Sequence, residues 1–209
     1  MGQPQFGAEF VGQGAETYAH LAVLERMNES KAPSRLWPEN TFATPKKDMF
    51  FNNEVVQLFH QPAAHTDGDV IVFFRRSDVI SAGDVFVKTS YPVIDLQHGG
   101  TINGIIDALN RIIDLAVPQD KQEGGTMVIP GHGRLCNEAD VVDYRDMVTI
   151  IRDRIQDMIN KAMTLQQVKA ARPTFDYDPL YGANSGPWTT DMFVEAAYRT
   201  LSLSTKEEK

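Results

Sequence analysis

Val70-Ile-Val-Phe-Phe74 is a run of five apolar residues between the polar turns Thr66-Asp-Gly-Asp69 and Arg75-Arg-Ser77. Its length and its β-branched and aromatic content favour an extended strand over a helix. Because every position is apolar, not every second one, the strand must be covered on both faces, as inside a layered sheet. A chain built around such a strand needs further strands beside it and covering elements above and below. The rest of the sequence supplies both.

The β-rich block begins upstream. Asp48–Phe51 and Glu54–Phe59 flank Asn52-Asn53, a dipeptide that tolerates positive φ and suits a tight hairpin. Asp69–Phe74 and Asp78–Ala82 flank Arg75-Arg76-Ser77 and form a second hairpin, and Thr126–Ile129 reads as a short buried strand. Helical periodicity takes over elsewhere. Thr101–Val117 places Ile102, Ile105, Ile106, Leu109, Ile112 and Ile113 on one side, and Asp107, Asn110, Arg111 and Asp114 on the other. Further helices are predicted from Asn137 or Glu138 to Ala162, over Thr164–Ala171, and from Trp188 or Thr189 to Leu203. For Gly14–Glu29 two readings stand: one helix, or a short strand at Glu16–Ala19 followed by a helix from His20. Residues 1–13 read as loop, residues 30–47 as an irregular connection with an extended piece near Thr41–Ala43, and Thr205–Lys209 as a frayed tail.

Composition excludes several classes of function. At 209 residues with 42% apolar content, the chain suits one globular domain. A formal charge of −8 and a pI near 5.1 argue against non-specific binding to nucleic acid or anionic membranes. No apolar run is long enough to cross a bilayer, and Met1–Gly7 has neither the basic nor the apolar region of a secretory signal. Phe6 stands where a myristoylation motif wants Ser or Thr. The single cysteine, Cys136, has no partner for an internal disulfide and reads as an inert buried thiol.

Three residues stand out as chemistry-bearing. His65 lies in the turn before the central strand, where the plain reading is a loop histidine bonded to Asp67 or Asp69. Asp84 follows Ser81-Ala-Gly83 at a strand end, where an aspartate is ordinarily a loop cap. His132 sits in Pro130-Gly-His-Gly133, and glycines on both sides permit unusual backbone angles that serve to aim an imidazole. Two imidazoles and a carboxylate at neighbouring strand ends are the donor types of a zinc site. His20 and His60 read as neighbours of the core, His98 as a loop histidine, and Trp37 and Trp188 as packing anchors.

Taken in order, His65-Thr-Asp-Gly-Asp69, the strand ending Gly83-Asp84, and Pro130-Gly-His-Gly133 after an intervening helix resemble the C-terminal half of the metallo-β-lactamase superfamily. Phe175-Asp-Tyr-Asp-Pro-Leu-Tyr-Gly182 followed by Asp191–Tyr198 resembles the ending of its bacterial hydrolase-like members, so the likeness runs over roughly residues 14–203. It implies an α/β fold, the four-layered αβ/βα sandwich, with metals at one edge between two sheets. It also implies that His65 binds one zinc, His132 a second, and Asp84 bridges them. The activity implied is zinc-dependent hydrolysis of an ester, thioester, lactone or β-lactam bond in a small-molecule substrate. Ala64 is a minor departure, standing where relatives often have Gly.

One departure is large. The family's His-X-His-X-Asp-His signature, which supplies most of the metal ligands, is absent, and His20 is the only histidine before residue 60. The resemblance then implies a domain incomplete at its N-terminus, through either a shortened reading frame or a naturally short relative that has lost its site. Over the single partial domain 1–209, residues 1–40 read as the remnant of the N-terminal half, 41–135 as sheet and site, and 136–209 as a helical C-terminal part. Catalytic zinc takes about three protein ligands, so His65, Asp84 and His132 shared between two metals predict weak or absent zinc binding. A different class of function, a non-catalytic interaction protein that uses its exposed sheet and cleft for a partner, follows from the same missing half, and the uncovered apolar face would also invite self-association.

Overall fold

The computed structural model describes residues 15–207, with side chains through Leu203; the loop expected over residues 1–13 lies outside the described residues. Five strands form the main sheet: β3 (Lys46–Phe51), β4 (Glu54–Gln61), β5 (Asp69–Phe74), β6 (Val79–Val87) and β7 (Met127–His132), in that spatial order. β3 to β6 are antiparallel neighbours, and β7 adds parallel to β6. A parallel partner needs a crossover, which α2 (Ile102–Leu115) provides. Asn52 and Asn53 both take positive φ (49° and 63°), the backbone of the tight hairpin expected there.

Helices cover one face. Ile71, Phe73, Ile80, Ala82 and Val128 of the sheet share one core with Ile105, Leu109 and Ile112 of α2. The same core takes in Tyr144, Val148 and Ile151 of α3 (Glu138–Asn160), Val168 of α4 (Leu165–Ala171), and Phe193 and Ala197 of α6 (Thr190–Glu207). Local chemistry sets the helix starts. Thr101 Oγ1 accepts from Gly104 N (2.9 Å), and Asn137 with Asp140 closes a capping box on α3.

The opposite face carries a second, smaller core of Phe42, Val56 and Leu58, with Met49, Val70, Val72 and Phe74 against it. Phe42 belongs to β2 (Asn40–Phe42), which pairs parallel with β1 (Tyr18–His20). The layers are therefore helices, five strands and, across the far face, two strands. Val70–Phe74 is apolar throughout because Ile71 and Phe73 face the helices while Val70, Val72 and Phe74 face the smaller core.

Several boundaries depart from expectation. Of the two readings offered for this segment near the N-terminus, the strand followed by a helix holds over residues 15–29, with the strand shifted to Tyr18–His20. β1 is followed by α1 (Leu21–Glu29), and His20, still paired with Phe42, caps α1, its Nδ1 accepting from Ala22 N at 3.3 Å. The strand expected to begin at Asp78 begins at Val79. Asp78 takes φ 53° and turns its carboxylate onto Thr126 Oγ1 (2.8 Å). A one-turn helix α5 (Asp178–Tyr181) went unforeseen, and α6 runs on to Glu207, into the segment expected to fray.

Candidate functional site

Asp84 does not follow a strand; it lies within β6. The β6–β7 pairing shifts register twice, between Ser81 and Gly83 and again between Gly83 and Val87, while β7 advances only from Ile129 to Pro130 to His132. The surplus residues of β6 bulge out of the ladder, and Gly83, at φ 57° and paired with Pro130, lies between the two shifts. Asp84 sits in that bulge and His132 closes β7. Their side chains meet, with His132 Nε2 3.5 Å from Asp84 Oδ1. Gly131 makes the approach possible: a β-carbon there would stand 2.3 Å from Asp84 Oδ1 and 2.7 Å from the Gly83 carbonyl oxygen. The pair is open to solvent, His132 being 61% and Asp84 28% exposed.

His65 lies in the β4–β5 loop. Its Nδ1 stands 2.8 Å from the Val93 carbonyl oxygen, and its own carbonyl accepts from Asp95 N. A carbonyl can only accept, so Nδ1 carries the proton and the neutral ring presents a bare Nε2. A backbone carbonyl holding one ring nitrogen is how metal-binding histidines are commonly oriented. Neither Asp67 nor Asp69 is the hydrogen-bond partner of the ring. Asp69 instead accepts from Thr66 N (2.7 Å) and Thr66 Oγ1 (3.1 Å), and its burial pushes the carboxyl up despite those bonds.

The remaining histidines are engaged elsewhere. His98 Nδ1 lies 2.6 Å from Asp95 Oδ2. Burial works against the Asp95 charge, yet this bond and nearby backbone N–H groups hold its carboxyl below the usual range. His20 and His60 stack on each other with ring centroids 3.4 Å apart. Cys136 is buried, and burial pushes its thiol up, which makes it a poor nucleophile. Among the described residues no three His, Cys, Asp or Glu side chains form a group that could hold a metal ion. Asp84 and His132 are brought together; His65 does not join them as a third member. In donor chemistry the three suit zinc, but in number and placement they do not fit a dinuclear centre.

No family model matches the sequence, and no curated protein does. Solved structures do match. The stereoselective inverting sec-alkylsulfatase Pisa1 from Pseudomonas sp. aligns at 12% identity and TM-score 0.58, over 78% of this chain and 26% of that one. The DIM-1 metallo-β-lactamase aligns at 16% identity and TM-score 0.52, over 68% of this chain and 61% of that one. TMB-1 aligns at 14% identity and TM-score 0.51, over 66% of this chain and 58% of that one. The chain has the metallo-β-lactamase fold. It spans 61% and 58% of the length of the two β-lactamases and 26% of the sulfatase, and at these identities the likeness extends to the fold alone. Within this metallo-β-lactamase fold, the Asp84–His132 pair is held by the β6 bulge and by Gly131.

Sequence reasoning missed the groups that fix these side chains. The Val93 carbonyl lies 28 residues from His65, and a carbonyl leaves no mark in a sequence. The ion cluster behind His132 joins Lys88 and Arg134 to Asp140, and nothing in the charge pattern singles it out.

Proposed function

We propose that this chain is a hydrolase of the metallo-β-lactamase type whose site is partial, directed at an ester, thioester, lactone or β-lactam bond. The supporting observation is the Asp84–His132 pair (3.5 Å) set at neighbouring strands of a sheet in this fold. We assign Asp84 and His132 as one partial zinc-binding pair, and His65, which stands apart from that pair, as a separate donor through its bare Nε2. Zinc bound there would supply a Lewis acid and a lowered water pKa. Three donors cannot complete two zinc shells, so the chain alone holds zinc weakly and turns over slowly or not at all. Zinc content after dialysis, together with turnover of a panel of such substrates with and without added zinc, tests this. Stoichiometric zinc retained through dialysis, with turnover abolished in His132→Ala, would overturn the impairment. Unchanged zinc affinity in His65→Ala and His132→Ala would overturn the ligand assignment.

A second reading rests on the sheet. Register places Met49, Val56, Phe74, Val79 and Met127 in one cross-strand row on the face away from the helices, with Leu58, Val72 and Ile129 in the next. Met127 is 45% and Ile129 38% exposed there. The Phe42 core covers the β4–β5 part of these rows, and Ser81 interrupts the second, so the apolar surface open to a second copy of the chain is Met127 and Ile129 at the β7 edge. Sedimentation should then show a dimer that Met127→Asp with Ile129→Asp dissociates, and a monomer at all concentrations would rule it out.

A further inference from the structure

The imidazoles of His20 and His60 lie parallel, 7° between planes, at the junction of three elements. His20 ends β1 and caps α1 through Nδ1, which accepts from Ala22 N. Its ring also meets Phe42 of β2 edge-on, centroids 5.4 Å apart. His60, near the end of β4, has Nε2 2.6 Å from the Asp67 carbonyl oxygen and so donates into the loop that carries His65. α1 grips the same loop: Arg26 pairs with Asp67, and Val23 sits so close to Gly68 that a β-carbon there would lie 2.7 Å from Val23 Cγ2. The stack thus joins the β1–α1–β2 unit, the main sheet and the His65 loop at one point.

The cap on α1 requires a neutral His20 ring, whereas the His60 bond to the Asp67 carbonyl needs only an Nε2–H. His20 Nδ1 must be bare to accept from Ala22 N, and a proton there would face that N–H donor to donor. A charge on either ring would also lie against the other imidazole with little water between. Burial lowers the proton affinity of both rings, and on His20 the His60 ring adds to it; acting the other way are the Ala43 backbone and then Glu25 of α1 on His20, and Asp69 on His60. Asp67, also facing the junction, is already neutralised by Arg26. β2 presents no charge in Asn40–Phe42.

We propose that the His20–His60 stack is a proton-operated latch, whose protonation unstacks the rings and frees the β1–α1–β2 unit from the sheet and from the His65 loop. The inference does not depend on zinc binding. Hydrogen–deuterium exchange, corrected for intrinsic amide rates, tests it on the full chain. Between about pH 7.5 and about pH 5, exchange in residues 18–29 and 66–69 should rise about tenfold or more, with α2 and α3 unchanged. His20→Asn keeps a capping oxygen and His60→Gln keeps a donor for Asp67, and neither replacement titrates. The double variant should lose the rise. Persistence of the rise in that variant, or a wild type whose exchange stays flat while the two imidazole resonances titrate, would overturn the latch. The wild-type titration decides the matter even if the variant does not fold.

Discussion

Lys88 and Asp140 form an ion pair largely shielded from solvent, Nζ to Oδ1 3.0 Å. Arg134 clasps the same carboxylate through both terminal nitrogens, at 2.8 and 2.7 Å. Lys88 follows β6 and donates its backbone N–H to the His132 carbonyl, while Arg134 lies two residues past His132. One carboxylate on the first turn of α3 therefore anchors both sides of the segment that presents His132.

Burial pushes the Asp140 carboxyl up, but hydrogen bonds from Arg134, Lys88 and the Asn137 backbone prevail and hold it at about 2. A depressed carboxylate stabilises the fold above its unfolded value near 3.8, and that stability is lost as pH falls through about 2. Asp140→Asn should cost about 1–3 kcal/mol near neutral pH. In urea titrations the gap between wild type and variant should close as pH drops from about 4 towards about 2. A gap that stays constant with pH would show that the charge is not the source.

Gly104, on the first turn of α2, leaves no room for a side chain. A β-carbon there would lie 1.9 Å from the Ala63 carbonyl oxygen, which is backbone and cannot swing aside. Gly104→Ala should destabilise by about 1–3 kcal/mol, although alanine is the better helix former. A higher melting temperature in the variant would show that α2 can shift away from the loop before His65.

The cap of α3 is reciprocal: Asn137 Oδ1 accepts from Asp140 N (3.0 Å), and Asp140 Oδ2 from Asn137 N (3.3 Å). Asn137→Ala removes one half and should cost about 1 kcal/mol, measured by chemical denaturation, whereas Asn137→Ser should recover most of it. Equal stability of the two variants would mean that the cap contributes nothing.

The neutral His65 ring should be the Nδ1–H tautomer, because its Nδ1 faces the Val93 carbonyl oxygen at 2.8 Å. Nitrogen-15 shifts of the ring near neutral pH would show this directly. An Nε2–H tautomer would contradict the orientation and remove His65 as an Nε2 donor.

Much of the fold was legible in local chemistry. The run Val70–Phe74 announced a strand covered on both faces, the Asn52-Asn53 pair its hairpin, and the isoleucine spacing of 102–113 the helix that crosses to β7. These features are set by nearest neighbours along the chain: side-chain alternation, turn conformation and helical period. Residues 14–29 were less legible, because helical spacing of apolar residues there competes with strand pairing to Asn40–Phe42, a partner beyond local reach.

The sequence by itself determined the α/β class, the order of most elements, and the residue types able to bind a metal. Tertiary structure decided which of them meet. Asp84 reaches His132 only through a bulge whose register depends on β7, more than 40 residues downstream. His20 reaches His60 only because two short strands settle on the far face of the sheet. A sequence specifies each side chain's chemistry, but the distance between two side chains remote in the chain depends on how strands pair and layers pack.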